Sequence, residues 1–91
     1  MKITRIDLEG DNGATGTLQR KSGQDVIEVT MSTPRTGRFG IHRKIRTLTA
    51  TARHENEQDA VGTDLQEALD GGRGTNSMIH EYFRLIQQLA D

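Results

Sequence analysis

The sequence predicts an α+β domain: a small antiparallel sheet of three to four strands with two C-terminal helices packed on one face. Three observations predict it. The first half alternates polar and apolar residues with a period of two and is broken by glycine-containing turns. The region from Thr63 onward changes to a helical period. Strands and helices are therefore segregated along the chain rather than interleaved, which favours an antiparallel sheet over βαβ units. With 91 residues, residues 1–91 form a single small domain, because a second core has no room.

The first strand is "KITRIDL", 2 to 8, which puts Ile6 and Leu8 on one face and Ile3, Arg5 and Asp7 on the other. The glycine-rich "EGDNGATG" follows, and its Asn12-Gly13 pair accepts positive φ at low cost, so a turn belongs there. "TLQRK", 17 to 21, reads as a short polar strand anchored by Leu18, and "SGQ" as a tight turn with Ser22. "DVIEVTMS", 25 to 32, is the strongest strand, with Ile27, Val29 and Met31 pointing one way. Pro34 and Gly37 then interrupt the backbone, and a loop is expected around the single proline.

Residues 41 to 53 admit two readings. Ile41, Ile45, Leu48 and Ala52 share a helical face, whereas Thr47, Thr49 and Thr51 alternate with Leu48, Ala50 and Ala52. Threonine is β-branched and a poor helix former, so a fourth strand is favoured. After "HENEQDAVG", read as loop, Thr63 and Gln66 have the spacing of a capping box and Gly71-Gly72 a stop, which predicts a helix over about 64 to 70. A last helix is predicted over about 77 to 90, with Ile79, Tyr82, Phe83, Ile86 and Leu89 on one face.

Composition narrows the functions. Only 32% of residues are apolar, tryptophan is absent, and the aromatics are one tyrosine and two phenylalanines. The core must be aliphatic and thin, and would gain from apolar surface shared with a partner chain. The absence of cysteine excludes disulfides, thiolate metal sites and thiol nucleophiles. Residues 1 to 10 carry no long apolar run, so neither a signal peptide nor a membrane span is expected there, and a cytoplasmic protein without a membrane partner is the simplest expectation.

No catalytic constellation emerges. His54-Glu55 and His80-Glu81 lack a second histidine four residues on, so the zinc-hydrolase pattern fails. Ser22, Ser32 and Ser77 stand in no nucleophile motif, and turn or capping roles account for Ser22 and Ser77. Glu55, Glu57 and Asp59 read as a solvated loop rather than a catalytic or ion-holding cluster. "GGRGTNS", 71 to 77, could receive an anion through Arg73 and a helix N-terminus, but it lacks the Walker lysine, and a helix stop followed by a cap explains it. No enzyme activity, metal or cofactor is expected.

Charge is the informative feature. Net charge is −1, yet residues 33 to 54 hold Arg35, Arg38, Arg43, Lys44, Arg46 and Arg53 without an acid, and residues 55 to 70 hold Glu55, Glu57, Asp59, Asp64, Glu67 and Asp70 without a base. The expected binding residues are Arg35, Arg38, Phe39, Arg43, Lys44 and Arg46, with Arg73 a candidate to join them. As a protein-interaction module the chain would use the basic segment 35–46 to hold a partner or a second copy in a homodimer, the opposed charges steering association. The polar strand at 17 to 21 would be an edge open to strand addition. As a nucleic-acid-binding domain it would grip phosphates through the same cations and stack a base on Phe39. Against both, Phe39 could be a core residue and the acidic segment could fold back on the basic one.

Overall fold

The computed structural model describes residues 2–21, 23–71 and 76–90, and in the last of these the side chains from Glu81 onward. Ser22 and residues 72–75, Arg73 among them, lie outside the described residues, as do the side chains of Ser77, Ile79 and His80. Four strands and two helices follow one another: β1 (Arg5–Glu9), β2 (Thr15–Arg20), β3 (Val26–Gly37), β4 (Gly40–Thr51), α1 (Glu55–Asp70) and α2 (Asn76–Ala90). A short 3-10 turn, Asp11–Gly13, joins β1 to β2. The strands lie in the order β1-β2-β3-β4, each antiparallel to the next. The α+β class is as the sequence predicts, and 41–53 is strand as far as Thr51.

Alternation fixes the buried face. Leu18 of β2, Ile27, Val29 and Met31 of β3 and Ala50 of β4 all turn toward the helices. They meet Val61, Leu65 and Leu69 of α1 and Ile86 and Leu89 of α2, spaced three or four residues apart. No aromatic residue is among the buried core of the described residues; Tyr82 and Phe83 are half-buried. Each fully buried aliphatic side chain contributes about 1.5–3 kcal/mol, so this small set carries most of the apolar stabilisation.

The helices are tied to the sheet by polar contacts at their ends. Arg20 Nη1 donates to the carbonyls of Leu89 (2.8 Å) and Ala90 (2.9 Å), and its Nη2 donates to Asp25 Oδ1 at 2.8 Å. A cation at a helix C-terminus meets both the free carbonyls and the negative end of the dipole. Tyr82 Oη donates to Asp70 Oδ2 at 2.7 Å, holding α2 to the end of α1. Burial first, and then this bond to a carboxylate, push the Tyr82 hydroxyl well above its ordinary range.

Three sequence expectations need correction. First, β3 does not end before Pro34 but runs through it to Gly37. Pro34 pairs with Arg43 beyond the last β2–β3 pair, Thr15↔Ser32. Its missing N–H faces the side where β2 has already stopped, so no ladder bond is lost. Second, α1 begins at Glu55, nine residues before the predicted start. Thr63 is not a cap: its hydroxyl donates to the Asp59 carbonyl one turn back, at 3.0 Å. Gly62, which reads as a breaker, is buried where α2 crosses, with Phe83 N 3.6 Å from the place a Cβ would occupy. Third, β2 is not an edge. It is paired on both sides, and the edges of the sheet are β1 and β4.

Candidate binding arm

Past the Thr15↔Ser32 pair, β3 and β4 continue alone as a two-stranded ribbon from Thr33↔Lys44 to Gly37↔Gly40. Five further pairs at about 3.3 Å per residue project roughly 16 Å beyond β2. The turn is two residues, Arg38 and Phe39, and Gly40 closes it at φ +115, a conformation only glycine adopts readily. The described residues accordingly extend 42 × 29 × 23 Å.

The arm, taken with its root pairs Ser32↔Ile45 and Met31↔Arg46, has two different faces. On the helix side lie Thr33 and Arg35 of β3 and His42, Lys44 and Arg46 of β4, in line with the buried Met31 and the half-buried Leu48. Thr33, Arg35, Lys44 and Arg46, with Met31 and with Asp64, Glu67 and Ala68 of α1, border a cleft of roughly 270 Å³ at the root of the arm. The opposite side carries Ser32, Pro34 and Thr36 opposite Ile45, Arg43 and Ile41. Ile41 is 77% and Ile45 68% exposed, and Phe39 at the tip is wholly exposed. Phe39 is therefore not part of the core.

The predicted site residues separate by role. Arg35, Arg38 and Lys44 make no ion pair among the described residues. Arg46 reaches Asp64 at 3.7 Å, the single contact by which the acidic segment neutralises the basic one among the described residues. Arg53 pairs instead with Asp25 at 2.8 Å. Arg43 is a brace: its Nε donates to Ser32 Oγ at 2.6 Å, and its Nη2 donates to the carbonyls of Gly13 at 2.8 Å and Ser32 at 3.1 Å. It locks the root of the arm to the 3-10 turn. Arg73 lies outside the described residues.

The outer edge of β4 was missed as a feature in the sequence. Thr51 turns both backbone groups outward: its N–H donates to Glu57 Oε2 at 2.7 Å, and its carbonyl accepts from Gln58 Nε2 at 3.3 Å. The first turn of α1 thus closes the strand's end. The bond from Thr51 holds the Glu57 carboxyl below its ordinary value. By the alternation of an antiparallel edge, Ile41, Arg43, Ile45, Thr47 and Thr49 turn their N–H and C=O groups outward as well. None of these groups meets a hydrogen-bond partner among the described residues. The signal in the sequence is the near-symmetric placement of the alternating runs 26–31 and 47–52 about "GRFG", which marks a long hairpin and hence a long free side.

Among the described residues no group of three or more histidine, aspartate or glutamate side chains gathers as a metal cluster would. No described helix is long and apolar enough to cross a membrane. Family models, curated sequences and solved structures offer no match to this chain.

Proposed function

We propose that the protein is a non-enzymatic binding module that engages a protein partner through the β3–β4 arm. The observation that carries this is the coincidence, on one projecting ribbon, of three strongly exposed apolar side chains, Phe39, Ile41 and Ile45, with Arg35, Arg38 and Lys44, which no described acid neutralises. Single exposed apolar residues are ordinary on protein surfaces, but an aromatic and two isoleucines among arginines on one element match the composition of interface cores. The cations supply steering, and Phe39 and the isoleucines supply the desolvated contact.

Nucleic acid is the second reading, favoured by the Arg38-Phe39 tip and by a ribbon of dimensions that enter a major groove. Its phosphates would satisfy the cations and leave Ile41 and Ile45 in water. A photo-crosslinking phenylalanine analogue at position 39 separates the two. Protein adducts that vanish in Arg35→Glu with Lys44→Glu support a protein partner. Adducts to oligonucleotide alone, with a log-affinity slope near −3 against log salt for about three phosphate contacts, would establish the second reading instead.

A further inference from the structure

We infer that the outer edge of β4 receives an extended acidic segment of the partner by strand addition, an inference that rests on the protein-binding function proposed above. The edge is open from Ile41 to Thr49, with outward backbone groups on every second residue, and α1 shuts it at Thr51 through Glu57 and Gln58. Open edges recruit extended peptides through main-chain hydrogen bonds, and alternate side chains on the two faces decide which peptide fits. Here one face of the edge strand offers Ile41 and Ile45, while the other offers His42, Lys44 and Arg46. The complement is a strand that alternates apolar and acidic residues. Arg46 already holds Asp64 at 3.7 Å, which leaves Lys44 as the main cation for an incoming carboxylate.

A second copy of this chain is a poor occupant, because the symmetric antiparallel registers that bury isoleucine on isoleucine either oppose cations or overlap by only three residues. If Ile45 faces its own mate, Lys44 faces Arg46 twice. If Ile41 faces Ile45, Arg43 faces Arg43. If Ile41 faces its own mate, only Gly40 to His42 of each edge overlap before the chain turns back at Arg38, too short a ladder to hold. Like charges directly across a strand pair are destabilising, and basic edges are a common protection against self-pairing. An acidic strand turns the same cations from obstacle into selector.

The test titrates the labelled full chain with a peptide of about nine alternating valine and glutamate residues, the length that spans the open edge. Strand addition predicts slowed exchange and shifts at the amides of Ile41, Arg43, Ile45, Thr47 and Thr49. N-methylation of one alternate set of peptide residues should abolish binding and of the other set leave it intact, a readout that changes nothing in the protein. Thr47→Pro removes an outward N–H and an exposed 3.4 Å hydroxyl contact with Thr30 but no ladder bond, so the fold should survive while affinity falls by about tenfold or more, the worth of a lost hydrogen bond plus a steric block. Binding through Arg35, Arg38 and Lys44 that ignores both N-methylation and Thr47→Pro would overturn strand addition while leaving the arm as a protein-contact surface. Binding of an oligonucleotide but not of any peptide would overturn both. A dimer by light scattering that Thr47→Pro dissolves would give the edge to a second copy and overturn the acidic partner.

Discussion

The body of the sheet and the arm are made from the same two strands, and what separates them is cover. In the body, β3 turns Ile27, Val29 and Met31 under the helices and β4 turns Ala50 with them. In the arm the same rows continue as Thr33 and Arg35, and as Arg46, Lys44 and His42. The reverse face shows the opposite exchange, with threonines at 47, 49 and 51 in the body giving way to Ile45 and Ile41 in the arm. Burial in this protein is thus set by how far α1 and α2 reach over a strand pair that is regular throughout. Ile41 and Ile45 lie on the face that the helices cover nowhere, so they gain little burial from the fold.

The sharpest way to break the comparison is to truncate one side chain in each region. Leu65→Ala, wholly buried in the body, should cost about 2–5 kcal/mol in urea unfolding. Ile45→Ala in the arm should change stability by no more than about 0.5 kcal/mol. A large loss at Ile45 would mean that the arm packs against something in the free protein. Smaller in effect is Arg43→Ala, which removes the brace between the arm and the 3-10 turn. Global stability should fall by about 1 kcal/mol. The inward amides of Arg35, His42 and Lys44 should exchange faster while those of Ile27 and Val29 do not, since the brace holds the arm alone.

The smallest effect lies where β4 meets α1. The Glu57 carboxyl sits below its ordinary value of 4.5 because it accepts the Thr51 N–H. A depressed carboxylate pKa contributes stability above the unfolded value and loses it as pH falls through the folded one. Acidification from about pH 5 to about pH 3 should therefore lower the protection of the Thr51 amide, its exchange measured against the intrinsic rate at each pH, in the wild type. In Glu57→Gln that dependence should be flat. A pH response retained in Glu57→Gln would assign the titration to another group.

The parts of the fold legible in the sequence are those with one wet and one dry face. Ile27, Val29 and Met31 announce β3 by alternation, and Ile86 and Leu89 announce α2 by spacing, because burial on one side imposes a period. The arm has no dry face, so no period marks it, and Pro34 and Gly37 read as a loop. Only the register shows that the proline lies past the end of β2. The first half of α1 was hidden for another reason: Gly62 and Thr63 carry local signals of a break, and packing against α2 overrides them. Of the site, the cations and Phe39 were legible as a cluster. That Arg43 is a structural brace, and that β4 has an open side, follow from which strands are neighbours, information that lies between segments rather than within them.

Arg20 bears on how the molecule is assembled. Its guanidinium waits for the carbonyls of Leu89 and Ala90, 69 and 70 residues further along the chain. Neighbouring strands of the meander can pair early, since each closes a short loop, but the part of the underside over β2 and β3 that α2 covers stays open until α2 docks. During that interval Leu18, Ile27 and Val29 face water on one side of the sheet and Ile41 and Ile45 on the other. A chain whose α2 has not docked would therefore expose apolar side chains on both surfaces together with the open β4 edge, the combination that favours aggregation.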